Sequence, residues 1–336
     1  MNNFKKIGLS ALAGSLAAVS AQAEVTFGGS AQVTYLDDSV DYTTGTGGNA
    51  IGQNTNINFS NSGELDNGFT VSIYGYFNDG NGGSISSTAM SLGMGDMGKI
   101  VFAESAGTAA NGIDDVMPTA YEEVWDLNNG TSYFHAFGSL TNSGSVEYQT
   151  PAVDMGGITL SATAAYDPQA GTANRDHDAI TSSGSTYNSG KAYTVKAVTD
   201  FGLTVGAGHE NVNGYDASSP EYNAATAYAK YTMGSITVGY QESYIDSAAG
   251  AADYESDGYG ISFAVNDNMS ISYSSQEDTK VELLGTAAVT QESKGMAASY
   301  TTGGMTFAII QVDTDNVNHT TAQNAEATEI SLSFAF

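Results

Sequence analysis

The sequence predicts an all-β fold of sixteen antiparallel strands, in which short and long connections alternate. Three observations predict it: period-two alternation of apolar and polar side chains, glycine-rich tight turns, and an alternating segment at the C-terminus. Residues 330, 332, 334 and 336 are large and apolar, and residues 331, 333 and 335 are small or polar. Because successive strand side chains point to opposite faces, this last segment is a strand with one apolar face.

Earlier segments repeat the C-terminal pattern. Residues 158–166 and 259–265 alternate in the same way, and so do the shorter runs 69–73, 236–240 and 269–273. Their second faces carry mainly Ser, Thr, Gly and Ala. Strands of this kind have one face suited to an apolar medium and one suited to water.

The connections between strands fall into two classes. Seven tight ones lie near residues 64–68, 94–98, 154–157, 200–202, 232–235, 266–268 and 302–304. Eight long polar ones lie near residues 37–50, 78–84, 104–143, 167–190, 211–222, 245–256, 276–294 and 313–326. Gly, Asn and Asp in the tight set supply the backbone dihedrals that hairpin turns require. A strict alternation of tight and long connections is hard to explain in a soluble sandwich, where both ends mix the two.

The apolar faces point to a closed barrel in a membrane. Sixteen strands with so little Leu would make a poor soluble core, whereas a closed barrel leaves no unpaired edge and places its apolar face in lipid. A tilted membrane strand needs about 10 residues, and sixteen of these leave about half of the chain for turns and loops. The sequence therefore predicts a 16-stranded antiparallel transmembrane β-barrel.

The N-terminus indicates export. Lys5 and Lys6 precede an apolar run, and Ala21-Gln22-Ala23 has the small-residue pattern of a signal-peptide cleavage site. We expect residues 1–23 to be a signal peptide and residues 24–336 to form the mature barrel, with the outer membrane as its destination.

Composition excludes several classes of function. The chain has 9 Lys and Arg against 37 Asp and Glu, a formal net charge of −28. Such a surface repels phosphates, so nucleic acid is not an expected partner. There is no cysteine, which excludes disulfides, thiolate metal sites and cysteine nucleophiles.

Taken together, the signal peptide, the strand count, the alternating connections, the extended third loop and the terminal Phe336 resemble the general porins of the Gram-negative outer membrane. The resemblance covers the mature chain. It implies a passive diffusion channel for small hydrophilic solutes and ions, short periplasmic turns, long extracellular loops, a homotrimer surrounded by outer-membrane lipid, and a third loop folded into the pore. It also implies that the channel is not an enzyme.

The third loop corresponds to residues of about 104–143. Its acidic residues are Glu104, Asp114, Asp115, Glu122, Glu123 and Asp126, and it contains no Lys or Arg. In a pore, a ring of carboxylates sets ion preference, so these six are the candidate constriction residues and the predicted preference is for cations. The alternative is a solvated loop whose acids only keep it soluble.

The opposing wall departs from the family pattern. General porins commonly face the acidic loop with an arginine cluster, but the early strands here contain no Arg. The second strand instead offers Asn54, Asn56 and Asn58 to the lumen, and strand parity also directs Lys196 and Lys230 inward. Two lysines provide only a weak counter-charge.

No cofactor is expected to be required, and Ca²⁺ is a candidate metal. Asp313 and Asp315 offer oxygen ligands at a spacing that calcium tolerates, although no EF-hand pattern is present. Nonspecific screening by counterions is the alternative.

Two other function classes stay open at this point. A barrel hydrolase is possible because catalytic triads leave no fixed spacing in sequence, although none of the four histidines lies in a known catalytic motif. A β-rich adhesin is the second alternative, and it would not need detergent.

Overall fold

In a computed structural model, the strands form one closed antiparallel barrel. The structure describes residues 25–40, 48–78, 85–104, 111–127, 144–168, 170, 187–214, 221–247, 253–281 and 288–336. The predicted signal peptide lies outside the described residues. Among those described, no helix is both long and apolar enough to span a membrane.

Seventeen strand segments make up the barrel wall. They are β1 (Thr26–Val40), β2 (Gly48–Glu64), β3 (Thr70–Asn78), β4 (Ile85–Gly93), β5 (Lys99–Glu104), β6 (Ser145–Gln149), β7 (Val153–Asp154), β8 (Ile158–Asp167), β9 (Tyr187–Thr199), β10 (Leu203–Gly214), β11 (Tyr222–Met233), β12 (Ile236–Ser247), β13 (Asp253–Asn266), β14 (Met269–Val281), β15 (Val289–Thr302), β16 (Met305–Asp315) and β17 (Ala325–Ala335). Short 3₁₀ turns lie at Gly95–Met97, Asn111–Ile113 and Val317–His319.

Two of the segments belong to one barrel strand. Both β6 and β7 pair with β8, and the break between them contains Pro151. Proline has no N–H to donate to a ladder, so it interrupts the strand at this point. The barrel therefore has 16 strands, as the sequence predicts.

The two ends of the chain close the barrel. β1 pairs antiparallel with β2 on one side and with β17 on the other. Each barrel strand that the structure describes consequently has two neighbours, so the described sheet is closed. The C-terminal strand thus serves as the closing element.

Tight turns occupy all seven predicted positions, and glycine makes several of them possible. Gly202 adopts φ +95°, and a Cβ there would lie 2.2 Å from the Thr232 carbonyl oxygen. Only a residue without a side chain fits such a turn.

Strand lengths differ from the prediction of about 10 residues per strand. β2 has 17 residues and β1 has 15, and both extend into the segment that the sequence assigned to the first long loop. β10 likewise continues to Gly214, inside another predicted loop. The boundary prediction was wrong because polar residues on both faces look like a loop, yet the backbone keeps pairing beyond the apolar band.

Side-chain parity separates an outward and an inward face. Outward positions carry large exposed apolar residues, such as Val238 (42%) and Ile261 (43%). Inward positions are largely polar, small or buried, such as Gln241 and Ser243 on the same part of the wall. The predicted face assignment is therefore present in the structure.

Candidate functional site

The third loop enters the interior of the barrel over the residues that the structure describes. Its described part, residues 111–127, packs against the inner wall through two apolar clusters. The first cluster contains Met117, Val124, Trp125, Leu127, Ala297, Ile310, Val312 and Ala327, and the second contains Ile113, Ala224, Tyr228 and Ile245. Burial of these side chains fixes the loop on the wall formed by β11, β12 and β15 to β17. The described part of the loop therefore fills the lumen next to these strands.

Two glycines on the inner wall of the barrel leave space for Pro118 of the third loop. Gly239 on β12 and Gly260 on β13 are direct cross-strand partners. Added Cβ atoms would lie 2.6 Å from Pro118 Cδ at Gly239 and 2.9 Å from the Pro118 carbonyl oxygen at Gly260. The missing side chains thus form a notch that holds Pro118.

Gln241 forms the main polar anchor of the loop. Its Oε1 accepts the backbone N–H of Val116 at 3.0 Å, and its Nε2 lies 2.7 Å from the Asp114 carbonyl oxygen and 3.1 Å from that of Ile113. The side chain is fully buried. A buried amide bonded in this way fixes the backbone next to the Asp114–Asp115 pair.

A second anchor lies further along the loop. The Tyr121 hydroxyl donates to Glu329 Oε1 at 2.6 Å and accepts from Gln32 Nε2 at 3.0 Å. The Ala120 N–H donates to Ser272 Oγ at 2.9 Å. Burial and the bond to Glu329 raise the pKa of Tyr121, so the phenol stays protonated and keeps donating.

Five of the six predicted constriction carboxylates lie in the part of the loop that the structure describes: Asp114, Asp115, Glu122, Glu123 and Asp126. Glu104 ends β5, and its side chain lies outside the described residues. The backbone N–H of Asp115 donates to Asp114 Oδ1 at 3.0 Å, and that of Glu123 donates to Asp126 Oδ2 at 3.1 Å.

The carboxylates influence each other's ionisation. Burial and the neighbouring Asp115 raise the pKa of Asp114 to about 7. Burial, Glu329 and Asp126 raise the pKa of Glu122 to about 7. Burial and the neighbouring Asp126 raise the pKa of Glu123 to about 8. These shifts show that the acids form a single electrostatic group, in which partial desolvation disfavours the charged form.

Sequence reasoning missed Glu329 as a member of this group. It lies on β17, far from the loop in sequence, but on the inward face and bonded to Tyr121. Strand parity marks it as inward, because its neighbours Thr328 and Ile330 face outward. Its contact with the loop depends on the path of the loop through the lumen.

The three predicted asparagines lie on the inward face of β2, next to β1, which contacts the loop through Gln32. Asn54, Asn56 and Asn58 are cross-strand partners of Gln32, Ser30 and Gly28, all on the inward face. Asn56 Nδ2 donates to Ser30 Oγ at 2.7 Å, and Asn78 Nδ2 donates to Asn54 Oδ1 at 3.2 Å. This part of the wall is polar and uncharged.

The predicted inward lysines are separated from each other. Lys196 faces Ser161 and Gly206 across its two ladders, and Lys230 faces Gly239. The structure does not bring them into one cluster. Two further inward lysines, Lys99 on β5 and Lys280 on β14, were missed, although the same parity rule identifies them.

The candidate calcium ligands face away from the lumen. Asp313 and Asp315 lie two residues apart on the outward face of β16, opposite Lys294 and Glu292. Within the described ranges, no group of three or more His, Asp or Glu side chains has a metal-binding arrangement.

Comparison with known proteins decides the family. A family model described as Gram-negative porin matches residues 8–288. The chain is a Gram-negative porin. No curated protein sequence matches it. The porin is therefore an outer-membrane β-barrel channel and not an enzyme, and its outward apolar face is the face in contact with lipid.

Solved structures share the fold of this porin at low sequence identity. Salmonella typhi OmpF in complex with daunomycin has a TM-score of 0.68 at 14% identity, covering 93% of this chain and 97% of that one. An anion-selective porin from Comamonas acidovorans has a TM-score of 0.65 at 12% identity, covering 94% and 100%. OmpT of Vibrio cholerae has a TM-score of 0.64 at 13% identity, covering 94% and 98%.

Proposed function

We propose that this porin is a cation-preferring diffusion channel for small hydrophilic solutes and ions, assembled as a homotrimer. The observation that carries the proposal is the joint position of five loop carboxylates and Glu329 within the lumen. The described part of the third loop contributes no Lys or Arg to offset them. A negative constriction concentrates cations and repels anions.

The inward face of β2 supports the same sign of selectivity. It carries the amides of Asn54, Asn56 and Asn58, and the inward lysines are dispersed. An anion-selective relative shares the fold, so the sign of selectivity follows from the side chains of each chain and not from the barrel. Selectivity should weaken with salt, because screening acts over about 10 Å at 0.1 M.

The test is the zero-current potential across a bilayer in a KCl gradient. Neutralisation of the loop in Asp114→Asn, Asp115→Asn, Glu122→Gln and Glu123→Gln together should lower cation selectivity strongly. A matched control changes the same number of charges on the outward face: Glu242→Gln, Asp257→Asn, Glu277→Gln and Glu292→Gln.

Two results would contradict the proposal. Anion selectivity of the unmodified channel would contradict the predicted sign. Equal effects of the loop variant and the outward variant would mean that the third loop is not the filter.

Assembly and processing are proposed on separate grounds. One similar solved structure is described as the trimer form of Vibrio cholerae OmpT, and the resemblance to general porins implies the same state here. An oligomer that shifts on a denaturing gel only after boiling would support it.

Sequencing of the mature N-terminus should find Glu24 if the signal peptide is removed as predicted.

Bound calcium is not needed for the proposed channel. Asp313 and Asp315 lie on the outward face, away from the constriction, so we propose that cations act there as screening counterions. Conductance and selectivity should then be unchanged when EDTA removes divalent ions at constant ionic strength. A loss of either would indicate a required metal.

A further inference from the structure

The inward face of the wall formed by β1 to β5 contains a recess. The recess has a volume of about 560 Å³. The residues lining it include Thr26, Ser60, Ser62, Thr70, Ser72, Tyr74, Ser91 and Lys99. Seven of these eight carry a hydroxyl group and one carries a positive charge.

The recess is located by the register of the strands. Ser62, Ser72 and Ser91 lie directly opposite one another on β2, β3 and β4, so their side chains form one row at the strand spacing of about 4.8 Å. Thr70 and Lys99 belong to the next row, beside the tight turns. The recess thus lies between the asparagine row and the tight-turn end of the pore.

The hydroxyl groups of this row are available to a solute. Ser62, Ser72 and Ser91 have no side-chain hydrogen-bond partner among the residues that the structure describes. On the wall covered by the third loop, comparable hydroxyls are already bonded within the protein. Ser243 Oγ donates to Thr226 Oγ1 at 2.8 Å, for example.

The chemistry of the lining selects one class of solute. A hydroxyl can both donate and accept, so a row of them matches a molecule that presents several hydroxyls. The Tyr74 ring, with a side chain 37% exposed, adds an apolar surface for the C–H face of a sugar ring. Among the lining residues that the structure describes, Lys99 is the one charged group.

From this arrangement we infer that the recess is a weak binding site for neutral polyhydroxylated solutes, such as small sugars, on their way through the pore. The inference rests on the proposed diffusion channel and adds a preferred solute class to it. Binding must be weak, because a solute has to leave the site to cross.

The experiment uses the full-length oligomer in a planar bilayer. The ion current is recorded with sucrose on both sides, and then with polyethylene glycol of the same hydrodynamic size. The glycol occupies the pore but has few hydroxyl groups, so it controls for exclusion of ions by volume. We expect excess current noise from binding and release with sucrose and not with the glycol.

Substitutions in the recess test whether the sucrose noise arises there. Ser62→Val, Ser72→Val and Ser91→Val together should lower the apparent affinity for sucrose at least about fivefold, the effect expected for the loss of one net hydrogen bond. The matched control is Thr163→Val with Thr194→Val. These two inward hydroxyls are bonded to each other at 2.7 Å, so the control should leave the sucrose noise unchanged.

Each result decides between the alternatives. Equal noise with sucrose and glycol, or equal noise in the triple variant and the unmodified porin, would overturn the inference while the channel itself stands. A lack of conductance in KCl alone would contradict the proposed function instead. If the triple variant does not assemble, Ser72→Ala replaces it, and a loss of affinity below about twofold would count against the recess.

Discussion

Gln241 on β12 accepts the backbone N–H of Val116 at 3.0 Å, across 125 residues of sequence. The same side chain also donates to loop carbonyls, and it is fully buried. A single wall residue therefore holds the backbone beside Asp114 and Asp115. The position of the proposed filter depends on this contact.

Replacing Gln241 with Leu should release the loop while the barrel stays folded. The substitution keeps a similar volume but removes the hydrogen bonds to the Val116 N–H and the Asp114 carbonyl, at a cost of about 1 to 3 kcal/mol. We expect a noisier open-channel current and weaker cation selectivity. The measurement is single-channel recording in a KCl gradient.

Gln149→Leu is the control for that variant. Gln149 also faces the lumen, but its side chain donates to Glu147 on the same strand and not to the loop. Identical behaviour of the two variants would contradict a specific role of Gln241 as the anchor.

Gly239→Ala perturbs the same loop by a different route. The added Cβ would lie 2.6 Å from Pro118 Cδ, and overpacking of this kind costs about 1 to 3 kcal/mol. Because the wall cannot yield easily, we expect Pro118 to move toward the pore axis and lower the conductance. Gly93→Ala is the matched control, since its nearest neighbours lie 3.7 Å away, and its conductance should be unchanged.

Cation selectivity should rise with pH near neutrality. The pKa of Glu123 is raised from its ordinary value of 4.5 to about 8, and those of Asp114 and Glu122 are raised to about 7. The loop therefore gains negative charge as pH rises through this window. The zero-current potential should show the change between about pH 5 and about pH 9, a range that extends about one to two units beyond these pKa values. The amide variant of the loop should not show it.

The free energy of unfolding should fall as the pH rises over the same range. Between 4.5 and about 8, Glu123 binds more protons in the folded state than in the unfolded one. Since the slope of the unfolding free energy with pH is then negative, these acids lower stability as pH rises. The measurement is the temperature at which the folded oligomer shifts on a denaturing gel. If this temperature rises with pH and does not change in the amide variant of the loop, the assignment is wrong.

Phe336 should matter for assembly more than for conductance. Its backbone N–H donates to the Gly29 carbonyl at 3.1 Å, and its carbonyl accepts from the Gly29 N–H at 2.9 Å, so it ends the ladder that closes the barrel. Removing Phe336 should reduce the amount of folded porin in the outer membrane. Channels that do form should conduct normally.

Gly29→Ala tests the same closure from β1. Its Cβ would lie 2.8 Å from the Asn56 carbonyl oxygen and 2.9 Å from the Phe336 ring. We expect a loss of folded yield, whereas Gly48→Ala, which meets nothing within 4 Å, should have none. An unchanged yield of both the truncated chain and Gly29→Ala would contradict the proposed role of the closure.

An outward row of like charges should limit stability. Glu242, Asp257, Glu277, Glu292 and Asp315 are successive cross-strand partners from β12 to β16. Like charges directly opposite each other are destabilising. Lys294 is ion-paired with Glu292 on the same face and offsets part of this repulsion.

Glu277→Lys should therefore raise the temperature at which the folded oligomer shifts on a denaturing gel. Two repulsive pairs become attractive, each changing by roughly 0.2 to 1 kcal/mol. Glu277→Gln should give a smaller gain, and added salt should reduce both gains. A lower transition temperature for Glu277→Lys would contradict the prediction.

Much of the architecture could be predicted from the sequence because it depends on local patterns. Period-two alternation identifies strands and assigns Asn54 or Lys196 to a face without knowledge of the neighbours. Tight turns are marked by Gly, as at Gly202. Lys99 could have been found by the same rule. The ends of the strands could not be predicted, because the polar first residues of β2 have the composition of a loop.

The number of strands, their faces and the acidic character of the third loop follow from local sequence patterns. The position of that loop does not, since it is set by contacts between residues far apart in the chain. Gln241, the Gly239 notch and Glu329 meet the loop only after the barrel closes. The alternation of apolar and polar side chains depends on residues that are adjacent in the sequence, whereas the site depends on residues that meet only inside the closed barrel.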